Sequence, residues 1–380
     1  MADAPNKTPL VIVAAGGTGG HLFPAEALTV ALKERGIRVE LATDTRAARF
    51  AGNFPADAII EFPAATPSGR SPLTAIKAVM TLARGFFAAF SAIRERRPAV
   101  IVGFGGYPTV PPLLAAGLLR VPIVIHEQNA VLGRANLLLS NWATLIATGF
   151  PKVGKIPKGA QKRVAHVGNP VRPAVLSAAA IPFQPLTGEG KLNLIVTGGS
   201  QGARVMSDVV PSAIELLPEN LRARLSIIQQ ARAEDLERVR AHYARLGVEA
   251  EVESFFPDLP TCLAVAHLVI GRAGASTVAE LAVIGRPAIL VPLPTSLDQD
   301  QAANAAVLVR AKAASAVLQK DFTPQWLADE LTRRFADPTS LQLEAEAAKT
   351  AGYPDAAERL ADQVFKVARG EWSPVAVEQT

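Results

Sequence analysis

The sequence predicts two α/β domains, each built on a doubly wound parallel sheet. Three observations carry that expectation: apolar runs of strand length without polar alternation, glycine loops placed directly after them, and the same strand–loop–helix order in both halves. Leu10-Val-Ile-Val-Ala-Ala-Gly-Gly-Thr-Gly-Gly20 resembles Leu192-Asn-Leu-Ile-Val-Thr-Gly-Gly-Ser-Gln-Gly202. Val100-Ile-Val-Gly-Phe-Gly-Gly-Tyr107 and Leu268-Val-Ile-Gly-Arg-Ala-Gly-Ala275 form a second pair, each leading through a helical pattern to another apolar run. The pairs are offset by about 170 to 180 residues, a duplication of architecture far longer than any solenoid repeat.

Runs rich in Val, Ile and Leu that lack alternation suit strands buried on both faces, with helices covering the sheet. In chain order, Pro9 to Ala15 enters the first glycine loop, a helix opens near His21, and Asp44 ends the second strand. Pro72 to Arg97 reads as a helix with two apolar stripes, one at Leu73, Ile76, Met80, Ala83, Phe87 and Phe90 and one at Val79, Leu82, Phe86 and Ile93. One stripe suffices to pack on a sheet. The second, rimmed by Arg70, Lys77, Arg84, Arg94, Arg96 and Arg97, is a candidate for anionic head groups, with a wide core-facing helix as the alternative. Gly168-Asn-Pro-Val-Arg172 interrupts the periodicity and marks the join. The expected domains are therefore 1–171 and 172–353, facing a cleft. Tyr353-Pro354 precedes a last helix at about 354–370, for which packing back on the first domain is one arrangement.

The 380 residues are 49% hydrophobic and 19% charged, with a net charge of +5. That balance excludes disorder as the main state, and the small basic excess suits anionic ligands without demanding nucleic acid. Cys262 is the one cysteine, which excludes an internal disulfide or a cysteine-rich metal knuckle and fits a reducing compartment. No leader is read, because Pro9–Ala15 is only of strand length. Apolar stretches are interrupted by Lys77, Arg84, glycines and prolines before they reach the roughly 20 residues of a spanning helix, so membrane contact is expected to be peripheral.

Four glycine loops are expected at strand carboxyl ends, where such sheets bind ligands. Glycines let backbone amides approach an anion, and the start of a helix adds its positive end. Gly16-Gly-Thr-Gly-Gly-His21 nevertheless matches neither the G-x-G-x-x-G dinucleotide fingerprint nor the Lys-bearing P-loop. Asp44 stands where a dinucleotide enzyme keeps its ribose-binding acid, so a nicotinamide or flavin enzyme remains an alternative, as does a solvated strand end. His21, one of five histidines, lies at the mouth of the first loop and is a candidate general base. Glu127, in His126-Glu-Gln-Asn129, is the second candidate. Asp298-Gln-Asp300 is a D-x-D triplet, by itself a weak metal signal, and neighbouring Gln299, Gln301 and Asn304 favour hydrogen bonds to a polyhydroxylated ligand.

Seven stretches in order resemble glycosyltransferase family 28 over nearly the whole chain. They are Gly16-Gly-Thr-Gly-Gly-His-Leu-Phe-Pro-Ala25, Gly103-Phe-Gly-Gly-Tyr-Pro-Thr109, His126-Glu-Gln-Asn-Ala130, Gly168-Asn-Pro-Val-Arg172, Gly198-Gly-Ser-Gln-Gly-Ala-Arg204, Gly274-Ala-Ser-Thr-Val-Ala-Glu280 and Gly285-Arg-Pro-Ala-Ile-Leu-Val-Pro292. The resemblance implies the GT-B fold, two Rossmann-like domains facing a cleft. It also implies an inverting transfer of N-acetylglucosamine from UDP-N-acetylglucosamine to the muramic acid 4-hydroxyl of lipid I, forming lipid II and UDP for cell-wall growth and division. No metal or other cofactor is called for. The expected address is the cytoplasmic side of the bacterial inner membrane, with lipid I and the anionic membrane face as partners.

By the same resemblance, the second domain holds the donor. Glu280 corresponds to the acid on the ribose, and Ala275, Ser276 and Thr277 to a phosphate cradle. Phe256 corresponds to the backbone contact of the uracil, Gln301 to the sugar reader, and Arg172, Ser200, Gln201 and Gly202 to groups near the diphosphate. In the first domain, Thr18, Gly19, Gly20 and Asn129 match ligand contacts, with His21 beside them. Asp300 departs from the glutamine of some relatives, and Gly271 from their Ser or Cys.

Overall fold

Strands, helices and connections follow one another as the apolar runs and glycines dictate. The computed structural model describes residues 9–16, 19–44, 54–64, 72–188, 190–199 and 202–374. The first elements are β1 (Leu10–Ala14), α1 (Gly19–Glu34), β2 (Arg38–Thr43), β3 (Ala58–Glu61), α2 (Pro72–Arg96), β4 (Val100–Gly103), α3 (Val110–Leu118), β5 (Ile123–Glu127), α4 (Arg134–Leu139), β6 (Leu145–Thr148) and β7 (Val164–His166). Then come α5 (Pro173–Ala179), β8 (Leu192–Thr197), α6 (Arg204–Glu215), α7 (Glu219–Arg222), β9 (Leu225–Gln230), α8 (Leu236–Arg245), β10 (Glu249–Glu253), α9 (Leu259–Ala264), β11 (Leu268–Gly271), α10 (Ala275–Ile284) and β12 (Ala288–Leu290). The chain continues through α11 (Asp300–Arg310), β13 (Ala314–Ala316), α12 (Pro324–Phe335), α13 (Pro338–Ala351) and α14 (Ala356–Ala368).

Contacts divide the chain into two units, Met1–Arg172 with Asp355–Thr380, and Pro173–Pro354. The first holds a sheet of order β3-β2-β1-β4-β5-β6-β7 and the second a sheet of order β10-β9-β8-β11-β12-β13, with every described pairing parallel. The fold class is the one expected. In each sheet the strand order reverses at the first strand, so β1/β4 and β8/β11 are the topological switch points where ligands bind such sheets. The four glycine loops follow those four strands. Val11 lies opposite both Val39 and Val100, and Ile195 opposite Ile228 and Val269. Side chains on both faces of the central strands are thus in the core, which explains runs without polar alternation.

Helix α14 packs Leu360, Ala361, Val364 and Val367 into the core cluster that holds Val11, Val13, Val39 and Leu41 of the first unit. Arg35, just after α1, adds exposed ion pairs to Glu358 and Asp362. These are worth little beside the apolar contact.

On α2 neither apolar stripe faces one way along its whole length: Phe86, Phe90 and Ile93 turn to the core, and Val79, Met80 and Phe87 turn out. Ala89 and Ile93 are buried and Phe86 and Phe90 pack against the same core, whereas Val79, Met80 and Phe87 are 64%, 57% and 70% exposed. The side chains of Leu73 and Ile76, and all of Arg70, lie outside those described. The reason is a close approach: a Cβ at Gly85 would sit 2.1 Å from the Pro63 carbonyl oxygen, so the backbone of α2 lies against the segment that follows β3. Gly85 and Ala89 thereby turn inward with Phe86, and the line Met80, Ala83, Phe87 turns out at the three- and four-residue spacing of one helix face. Among the described residues no helix is long and apolar enough to cross a membrane.

Candidate functional site

In the first unit the loop after β1 is shaped by close approach. A side chain at Gly16 would meet Pro108 at 2.8 Å and Asp44 Oδ1 at 3.2 Å. Asp44 is only 2% exposed, so it is a buried wall of this loop rather than a solvated strand end. Thr18 lies outside the described residues. Gly19 and Gly20 open α1, where unpaired backbone amides and the helix dipole favour an anion.

His21 follows in the first turn of α1. Side chains at Gly105 and Gly106 would come within 3.6 Å of its Cε1 and 3.4 Å of its Cδ2, so the loop after β4 lies against the imidazole. Both glycines have positive φ, 82° and 77°, which glycine adopts without strain. Burial holds the His21 pKa below the ordinary value of 6.5, outweighing the Phe104 backbone and Gln128 side chain, which favour the charged form. Nδ1 is buried without a hydrogen-bond partner among the described residues. The imidazole is therefore neutral at pH 7 and able to accept a proton.

Glu127 has different work. It is 1% exposed, and its carboxylate accepts four hydrogen bonds: from the Asn129 backbone at 2.9 Å and side chain at 3.2 Å, from the Gly133 backbone at 2.9 Å and from Asn136 Nδ2 at 2.8 Å. Burial pushes its pKa up, against those same four donors. With both oxygens saturated, it fits an organiser of the β5–α4 loop. Four donors on one buried carboxylate favour a loop organiser, beside which the candidacy of Glu127 as second base stands open to experiment. Asn129 belongs to the same network, so its side chain orders the loop as well as flanking it.

His126 is wholly buried, its Nε2 3.1 Å from the Gly168 carbonyl. Burial drives its pKa down to about 4. Asn169 Nδ2 donates to the Gln128 carbonyl at 2.9 Å, and a Cβ at Gly149 would overlap the Asn169 side chain. The segment before Arg172 is therefore stitched to the end of β5. Arg172 lies with its guanidinium carbon 3.9 Å from the centroid of the Phe23 ring of α1.

In the second unit the loop after β8 is equally tight: a Cβ at Gly198 would lie 2.2 Å from Ala203 N, and Gly202 has φ 66° beside Arg232. Gln230 Oε1 accepts from Gly198 N at 3.0 Å and Thr197 Oγ1 at 3.2 Å. Ser200 and Gln201 lie outside the described residues. After β11, Gly274 caps α10 in an extended conformation without a side-chain cap, so the first-turn amides of Ala275, Ser276 and Thr277 stand at a helix start, where an anion is favoured. Glu280, 8% exposed, sits on the same helix one and a half turns on. Phe256 follows β10 and is 8% exposed, while its neighbour Phe255 is 67% exposed.

Gln301 Oε1 accepts from Leu293 N at 3.0 Å and Ala273 N at 3.3 Å, and Asn304 Nδ2 donates to the Ala273 carbonyl at 3.1 Å. The amide oxygen of Gln301 therefore fastens two loops, and its NH2 group is what remains for a ligand. Asp298 and Gln299 both have φ 57°, a left-handed conformation that is costly without glycine. Asp300 Oδ1 accepts from Gln301 N at 2.7 Å, which gives the second acid of the D-x-D triplet a place in the start of α11.

Several contributors carried no legible signal. Asn136 and Phe23 are an asparagine in a short helix and an aromatic in an apolar run, and only the fold brings them to Glu127 and Arg172. Gln128 and Asn169 stood inside polar motifs without a role.

Family models for the glycosyltransferase family 28 N-terminal and C-terminal domains match residues 11–148 and 193–360. A Methylobacterium nodulans protein is 63% identical over 362 residues, covering 95% of this chain and 97% of its own length. A protein of Methylobacterium sp. strain 4-46 is 62% identical over 361 residues, covering 95% and 97%. Both are named UDP-N-acetylglucosamine--N-acetylmuramyl-(pentapeptide) pyrophosphoryl-undecaprenol N-acetylglucosamine transferase. The crystal structure of Acinetobacter baumannii MurG superposes with TM-score 0.75 at 29% identity, covering 94% of this chain and 99% of that one.

Proposed function

The chain belongs to glycosyltransferase family 28, and on that premise we propose that it transfers N-acetylglucosamine from UDP-N-acetylglucosamine to the muramic acid 4-hydroxyl of lipid I. The products are lipid II and UDP. Within the geometry, the observation that carries this reading is the half-buried imidazole of His21 at the start of α1, with the glycine loop after β4 lying against its ring.

The acceptor hydroxyl attacks the anomeric carbon from the face opposite UDP, so the new bond is β and the configuration inverts. His21 takes the hydroxyl proton, a contribution of about 10² to 10⁴ in rate. Negative charge grows on the departing diphosphate. The amides of Ala275, Ser276 and Thr277, the start of α10 and the guanidinium of Arg172 offset it, and one well-placed donor of this sort is worth about 3 to 4 kcal/mol. Glu280 accepts from the ribose hydroxyls, the backbone at Phe256 meets the uracil, and the free NH2 of Gln301 reads the sugar. Ser200, Gln201 and Gly202 add donors near the diphosphate. Gly19 and Gly20 offer amides to the acceptor's polar head, and Glu127 and Asn129 keep the neighbouring loop in shape.

The acceptor's polyprenyl tail resides in a membrane. We assign the docking face to the exposed line Val79, Met80, Ala83 and Phe87 of α2, flanked by exposed Lys77, Arg84, Arg94 and Arg97. Apolar side chains enter the acyl boundary and the cations meet anionic head groups. The address is then the cytoplasmic side of the inner membrane, where UDP-sugars are available.

The test is a transfer assay with radiolabelled UDP-N-acetylglucosamine and a short-chain lipid I analogue. Label should appear in the lipid with one UDP released per sugar. UDP release without labelled lipid, or equal transfer from UDP-glucose, would overturn the reading.

A further inference from the structure

We propose that Phe23 is a positioning residue that couples the first glycine loop to the guanidinium of Arg172, with Glu26 as the acid that competes for that guanidinium. The proposal rests on the reading of Arg172 as a contact of the donor diphosphate.

Gly19, Phe23 and Glu26 are four and three residues apart on α1 and so share one face of the helix. The Phe23 ring is engaged by both neighbours. A Cβ at Gly19 would lie 3.1 Å from its Cε2 and Cζ, and the Arg172 guanidinium carbon lies 3.9 Å from its centroid. One ring therefore closes the loop and carries the cation. Stacking on an aromatic face fixes the guanidinium plane, and a guanidinium edge so oriented binds a phosphate in fork geometry.

Glu26, one turn along, is half-buried. Burial pushes its carboxyl pKa up, and the nearby Arg172 opposes that shift. As a carboxylate it draws on the field of the Arg172 guanidinium, charge that the diphosphate would otherwise receive in full.

The test compares the equilibrium affinities of the full chain for UDP and for uridine, which lacks the diphosphate. Phe23→Leu should weaken UDP about tenfold with uridine unchanged, in line with one desolvated cation–π contact. Gly19→Ala, which crowds the ring, should do the same, and the double variant should be no weaker than Phe23→Leu alone. Glu26→Gln should tighten UDP several-fold. Parallel losses for UDP and uridine would mean a merely structural role and would overturn the proposal, as would fully additive effects. Arg172→Gln separates the two levels. If it leaves the preference for UDP over uridine intact, the donor reading of Arg172 falls and the proposal with it. If it abolishes that preference while Phe23→Leu is neutral, the coupling alone is wrong.

Discussion

Replacing Glu127 by Gln separates a general base from a loop organiser. In the native loop two donors face each carboxylate oxygen, the Asn129 backbone and side chain on one and Gly133 N and Asn136 Nδ2 on the other. An amide must turn its NH2 toward one of these pairs, so two hydrogen bonds to a charged acceptor are lost and donors confront donors. At about 1.5 to 3 kcal/mol per bond to a charged group, the cost is roughly 3 to 6 kcal/mol, a large part of a typical 5 to 15 kcal/mol stability. For a unit of about 200 residues that corresponds to a fall in Tm on the order of 10 °C. The assay is thermal unfolding followed by circular dichroism, with turnover measured well below the transition. Residual turnover in the folded variant, together with the lowered Tm, is the expected result. An unchanged Tm with turnover abolished would refute the reasoning and return Glu127 to the chemistry.

Four further outcomes are expected. His21→Ala should lower kcat at least a hundredfold while UDP still binds, and in the native enzyme the acid limb of the kcat–pH profile should lie below pH 6.5, because burial depresses that imidazole's pKa; a limb at or above 6.5, or near-normal turnover, removes His21 from the base role. Glu280→Ala should raise the KM for the donor with kcat much less affected, and an unaltered donor KM would count against the ribose assignment. Met80→Asp combined with Phe87→Asp should abolish sedimentation with anionic liposomes without changing Tm, since both residues are exposed; undiminished binding sinks the docking face. His126 has a folded pKa of about 4 against an ordinary 6.5. The unfolded chain therefore takes up the proton first, and stability is lost as pH falls from 6.5 towards 4, by up to roughly 3 kcal/mol. His126→Gln should flatten urea-denaturation midpoints over that range, and an equally steep dependence in the variant would exclude this histidine as the cause.

Much of the donor cradle was readable because its chemistry lies in the backbone. A glycine that must approach Ala203 N, or an amide that must open α10, is announced by the residue type itself, and the apolar run before each loop says where the strand ends. Roles that depend on a side chain's partners were not readable in this way. Glu127 looked like a reactive carboxylate at a strand end until four donors were found around it. Asp44 read either as a ribose-binding acid or as a solvated strand end, and only its burial removes the second, while α2 offered two stripes of similar composition with nothing in their spacing to say which residues faced the core.

Period and composition by themselves determined the two parallel sheets, the repeat of strand, loop and helix in both halves, and the placing of glycine loops at strand ends. Those features arise from local sterics and from burial on both faces, which a one-dimensional pattern records. Only the tertiary structure decided that Phe86 and Ile93 turn inward while Met80 and Phe87 turn out, that α14 joins the first core, and that Phe23 carries Arg172. Each of these is set by a close approach between segments far apart in the chain. Packing distance has no periodicity, so no window of sequence could contain it.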